Sequence, residues 1–216
     1  MRMRVVLAAA ALGACLAPAA RAQAERRLAG RLDARTREAV VAQVDSARRD
    51  GLPDDPLVNK ALEGASKGAD GARIVAAVRG LRADLARARA ALGRGATDLE
   101  LVAGAAALRA GAAPDVVADL RSRYPRAPLA VPLAVMADLV ARGVPADTAT
   151  RSVAALVRAG AREADLVAFR QGVERDIALG APAGAAAAVR VNAAERDLGA
   201  TANAGPSTAP APPRKP

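Results

Sequence analysis

The chain has 216 residues, of which 52% are hydrophobic but only 1% aromatic, with one Phe, one Tyr and no Trp. It carries 32 Lys and Arg against 22 Asp and Glu, a formal net charge of +10, with no histidine and a single cysteine. Without an imidazole there is no His general base, no Ser–His or Cys–His pair and no ordinary zinc site, and so few aromatics leave no stacking platform for single-stranded nucleic acid.

The first 24 residues have the order of a secretory signal. Arg2 and Arg4 precede an apolar run from Val5, and small residues frame two cleavage frames, Ala20-Arg21-Ala22 and Ala22-Gln23-Ala24. The run is too short to span a bilayer, and Pro18 interrupts it. Ala22 and Ala24 are therefore the expected cleavage residues and the expected location is periplasmic or secreted. A second reading rests on Leu12-Gly13-Ala14-Cys15, which resembles the lipobox of bacterial lipoproteins and would make Cys15 the lipidated N-terminus of a membrane-anchored protein. Conventional cleavage removes Arg2, Arg4 and Arg21, leaving 29 basic and 22 acidic residues, and leaves no cysteine for disulfide or thiol chemistry.

Residues 25–198 read as one α-helical domain, with a sub-boundary expected near 93–96. Strand periodicity is absent. The predicted helices run over 32–50 and, after Pro53-Asp54-Asp55-Pro56, from Asp55 as N-cap to a stop at Gly68. The next covers 72–92, where Ile74, Val78, Leu81, Leu85, Ala88 and Leu92 share one stripe. Thr97 and Glu100 have capping-box spacing and begin a helix that Gly111 ends. Pro114 opens a helix closing near Tyr124-Pro125, and Pro132 belongs to the first turn of a helix over 133–142. Leu139-Val140-Ala141-Arg142-Gly143-Val144 then recurs loosely as Leu156-Val157-Arg158-Ala159-Gly160-Ala161, with weaker copies around Gly111 and Gly180. Short helices halted by glycine must pack on their neighbours, which predicts an all-α array of helical hairpins, either solenoid-like or an irregular bundle. A penultimate helix carries Leu166, Phe169, Val173 and Ile177, and an Ala-rich helix follows over 182–198. The segment 199–216 is Pro- and Ala-rich and reads as a disordered tail.

Basic and acidic residues alternate along these helices, so the basic excess predicts a solvated surface and not a nucleic-acid stripe. The carboxylates suggest local structural work: Asp54 and Asp55 as caps, and Asp138 with Arg142 as a surface pair. Asp115 and Asp119 share a helix face, whereas Glu174 and Asp176 face different ways. None has calcium-loop spacing, and no cofactor or metal is expected.

Three stretches resemble exported Ala-rich helical proteins of high-GC bacteria: 51–64, Arg73-Ile74-Val75-Ala76-Ala77-Val78-Arg79, and 173–181. The resemblance implies no activity and no site residues. The functional expectation is an exported, non-enzymatic scaffold or interaction protein whose partner, an envelope protein for example, would use the concave face of the array between Val116 and Ile177. The alternative is a binder of anionic envelope polymer or membrane surface through Arg73, Arg79, Arg82, Arg87 and Arg89, and a lesser one is a carboxylate-dependent hydrolase.

Overall fold

The computed structural model describes residues 16–203. Among the described residues every regular element is an α-helix. In chain order they are α1 (Leu16–Leu28), α2 (Ala34–Arg49), α3 (Asp55–Ser66), α4 (Gly71–Leu92), α5 (Asp98–Arg109), α6 (Pro114–Arg123), α7 (Ala130–Ala141), α8 (Ala146–Arg158), α9 (Glu163–Ala178) and α10 (Ala183–Asn203). Two compact units emerge, one ending at Ala105 and the other beginning at Ala106, so the division falls inside α5 and not at the expected 93–96. The Gly93–Gly95 turn only redirects the chain between α4 and α5.

In the first unit α4 packs on α2 and α3, and α1 packs on the same two helices. Val40, Val41 and Val44 of α2, Leu57 and Val58 of α3, and Ile74, Val78 and Leu85 of α4 are buried. The predicted α4 stripe thus faces the core, apart from Leu81, which is half-buried. Each such side chain contributes about 1.5–3 kcal/mol when fully buried.

The helix starts follow from local chemistry. Asp33 accepts from the Thr36 N–H at 3.0 Å and Asp70 from the Arg73 N–H at 2.8 Å, each satisfying an orphan donor of a first turn. The Thr97–Glu100 capping box forms as expected: the Thr97 N–H donates to Glu100 at 2.9 Å and the Glu100 N–H to the Thr97 hydroxyl at 3.3 Å. At α3 the expectation needs correction. Asp54 holds the cap position and Asp55 is the first helical residue, but neither cap is made by a side chain. The Asp54 carboxylate takes the Arg48 guanidinium, and Asp55 accepts from Arg27 at 2.5 Å. Arginines brought in from α2 and α1 outcompete a local cap bond.

Among the described residues six helix ends share one hydrogen-bond pattern. After α8, for instance, the Gly160 N–H donates to Val157 and the Ala161 N–H to Leu156. This is the Schellman arrangement, and it recurs at Gly51, Gly68, Gly111, Gly143 and Gly180. Gly160 adopts φ +83° and Gly111 φ +105°, a region where an L side chain costs about 1–2 kcal/mol.

In the second unit α7 and α8 form one hairpin and α9 and α10 the next, with α7 packed on α9 and α8 on α10. This is the stacking of a helical-hairpin array. Helices α5, α7 and α9 begin at 98, 130 and 163, an approximate period of 32–33 residues. Leu133, Met136, Leu139, Val153, Leu156, Leu166 and Val173 fill the space between the layers. Pro132 is the third residue of α7, in its first turn as anticipated. The last helix runs to Asn203, so 199–203 belongs to α10 and not to the tail. Ala200 and Ala202 supply the strongest helix propensity there. The rest of the tail, 204–216, lies outside the described residues.

Candidate binding groove

A cleft of about 440 Å³ opens in the second unit where the α6–α7 and α8–α9 connections meet. Leu129, Pro132 and Leu166 are buried and make its floor. Tyr124, Ala127, Val157 and Ala161 are half-buried walls, and Pro128, Gly160, Arg162 and Glu163 are the exposed rim. The local sequence explains its shape. Pro125 ends α6 at Tyr124, whose N–H still bonds Leu120 at 2.9 Å, and the chain crosses to α7 through Pro128. The Gly160 turn presents no side chain there. The result is an apolar trough bounded by a phenol and two prolines, with a guanidinium and a carboxylate on its exposed rim. Its size is that of a ligand pocket.

The polar part of the rim is ordered by the start of α9. The Arg162 N–H donates to Asp165 at 2.9 Å, and this bond chiefly holds the Asp165 carboxyl below its ordinary value. Deeper in the hairpin Arg190 grips Asp176 with two bonds of 2.6 Å, which lowers the Asp176 pKa and raises that of Arg190. The Arg190 stem lies over Gly172, where a Cβ would meet its Cδ at 3.3 Å. Asp138 and Arg142 do not form the expected pair with each other. Asp138 meets Arg170 at 3.4 Å and Arg142 meets Glu174 at 3.3 Å, tying α7 to α9. Glu174 and Asp176 thus serve different neighbours, as their spacing predicted.

Two wider depressions on the first unit, of about 650 and 770 Å³, are lined mainly by charged or polar side chains of both signs. One contains Arg21, Glu25, Arg37 and Glu38, the other Arg27, Arg31, Asn59 and Glu63. Glu63 is drawn down to about 2 by Lys67 and Lys60. Neither depression offers an apolar floor like that of the cleft.

The α4 arginines anticipated as anionic-surface contacts are not a stripe. At about 100° per residue, Arg82 and Arg89 share one side of α4 while Arg73 and Arg87 lie roughly opposite. Arg82 pairs with Asp50 at 3.2 Å, and Arg89 donates to the Gly51 and Arg94 carbonyls at 2.5 and 2.8 Å. Arg73 pairs with Asp70 and Arg87 with Asp84. Arg79 is exposed.

Both expected cleavage residues lie within α1. Ala22 is half-buried and Ala24 is 2% exposed. Arg21 pairs with Glu25 at 3.0 Å and with Asp45 at 2.7 Å, so helical structure runs across both cleavage frames. Cys15 lies outside the described residues. Among the described residues no helix is long and apolar enough to cross a membrane, and no three His, Cys, Asp or Glu side chains gather as metal ligands.

Tyr124 and the prolines around the cleft were read from sequence only as a helix end and a helix start. The available signal was the single tyrosine set among Pro125, Pro128 and Pro132. Comparison of the chain with models of known protein families, with curated proteins and with solved structures finds no match in any of the three.

Proposed function

We propose that the protein is an exported, non-enzymatic interaction protein whose second unit holds an extended, proline-bearing segment in the Tyr124–Leu166 cleft. One observation carries the reading: an apolar trough with an aromatic ring in its wall, one proline in its floor and another on its rim with Arg162 and Glu163. Polyproline II segments dock in aromatic-lined grooves because they are already extended and lose little entropy on binding. Support for a non-enzymatic role comes from the carboxylates. Glu63 and Asp176 are engaged by basic side chains and Asp165 by a backbone N–H, all held low, whereas a general acid at neutral pH needs the opposite shift. Export rests on the leader pattern of the first 24 residues. The α4 arginines give less support to polymer binding, since four of the five are engaged within the first unit.

Tyr124 is the only tyrosine in a chain without tryptophan, so its emission reads the cleft directly. Titrating a chain ended at Asn203 with decaproline and with Ala/Pro decapeptides should give a saturable change in that emission. The Val157→Asp variant, unchanged in circular dichroism, should give none. No saturable change up to millimolar peptide would refute the reading.

A further inference from the structure

We infer that in the free chain this cleft is occupied by the chain's own C-terminal segment, Pro206–Pro216, which a partner must displace. The inference rests on the cleft being a binding site for extended, proline-bearing chain. Three observations select this occupant.

The first is location. Helix α10 returns antiparallel to α9 within the second hairpin, and its last turns reach the start of α9. Asp197 and Leu198 line a shallow depression with Arg162, Asp165 and Phe169. Arg162 also lines the cleft. The α10 turn at Asp197–Leu198 therefore borders the same Arg162 side chain that lines the cleft, about one and a half turns before the helix ends at Asn203.

The second is length. Thirteen residues follow Asn203. At about 3.1 Å per residue in polyproline II form they span roughly 40 Å. The seven residues from Asn203 to Pro210 already cover about 22 Å at that rise, enough to turn back over Arg162 at Ala204-Gly205-Pro206.

The third is chemistry. In Pro210-Ala211-Pro212-Pro213 the residues Pro210 and Pro213 are three apart in sequence, so in a polyproline II conformation both would present the same face. That face suits a trough with a Tyr124 wall and a Leu129, Pro132 and Leu166 floor. Arg214 and Lys215 follow at once, and Glu163 stands exposed on the rim to receive one of them. The cleft holds only a few residues, so Ala209–Pro213 would fill it and the basic pair would sit at its edge.

A tethered segment competes at an effective concentration near millimolar for a short flexible link. It would cover the apolar floor in the free chain while remaining displaceable by a tighter partner.

The test uses acrylamide quenching of Tyr124 emission in the full chain, in the chain ended at Asn203, and in a full chain carrying Pro210→Asp and Pro213→Asp. The tail substitutions leave every residue of the helical array unchanged, so they do not act through folding. The quenching constant should rise at least twofold on truncation and equally in the double variant. It should return toward the full-chain value when a peptide of residues 204–216 is added, and it should not depend on protein concentration. Equal constants in all three chains would overturn the inference. Protection that grows with protein concentration would also overturn it, assigning the cleft to the tail of a second copy. If the shortened chain binds decaproline while truncation leaves the constant unchanged, only the tail assignment fails. If the shortened chain binds no proline-bearing peptide, the binding reading itself fails.

Discussion

Gly111→Ala should destabilise the second unit clearly more than Gly160→Ala, and the difference isolates steric packing from backbone strain. Both glycines follow a helix and bond in the same Schellman pattern. At Gly160, φ is +83° and an added Cβ would meet nothing within 4 Å. Its substitution therefore costs only the left-handed penalty, about 1–2 kcal/mol, reduced by about 0.4–1 kcal/mol because Ala restricts the unfolded chain. At Gly111, φ is +105° and the added Cβ would lie 3.0 Å from the Ala146 Cβ. That neighbour is a methyl fixed to the first turn of α8 and has no rotamer by which to withdraw. Overpacking of this kind adds about 1–3 kcal/mol. The unfolded-state gain is common to both variants and cancels in the comparison. Urea unfolding followed by Tyr124 emission reports the second unit selectively, and the slope should remain unchanged so that the midpoint alone carries the effect. Equal midpoints for the two variants would refute the steric argument. A Gly160→Ala variant more stable than the wild type would refute the backbone one.

Arg89→Gln should lose about 1.5–3 kcal/mol of first-unit stability through its charge-assisted bonds to the Gly51 and Arg94 carbonyls, whereas Arg79→Gln should stay within about 0.5 kcal/mol; urea denaturation followed by far-ultraviolet circular dichroism distinguishes them. Asp176→Asn should lower stability at pH 7 by removing the Arg190 clamp. The folded pKa of Asp176 is depressed from 3.8, so its contribution is present above 3.8 and is lost as pH falls through the lower folded value. The gap between wild type and variant should therefore be full at neutral pH and close in strong acid, as read by thermal unfolding across the pH range. Intact mass of protein recovered from the cell envelope should show a chain beginning at Gln23, since cleavage after Ala22 leaves the buried Ala24 in place; a mass retaining Met1 would contradict export.

Much of the fold was legible because its punctuation is local. Gly51, Gly68, Gly111, Gly143, Gly160 and Gly180 end helices where the sequence placed stops, and the α4 stripe and the Thr97–Glu100 box follow from spacing within one or two turns. What escaped depends on residues that meet only after folding. Asp54 and Asp55 have the sequence of caps, yet their partners, Arg48 and Arg27, arrive from α2 and α1. Asp138 and Arg142 have ideal i,i+4 spacing, yet Arg170 and Glu174 on α9 offer partners of the right sign on a packed neighbour. The cleft escaped for the same reason. Tyr124 and Leu166 are more than forty residues apart, and no periodicity links two connections that become adjacent only when hairpins stack. The cleft lies within the 116–177 stretch and combines residues of the α6–α7 and α8–α9 connections with Pro132 of α7, Val157 of α8 and Leu166 of α9.

If the Tyr124–Leu166 cleft holds extended, proline-bearing chain, as proposed, decaproline must bind there. Decaproline added to the chain ended at Asn203, monitored through Tyr124, tests it most directly. The expected result is a saturable change that Val157→Asp abolishes without loss of helicity. A flat titration in a folded protein, or an identical response from the Val157→Asp variant, would contradict it.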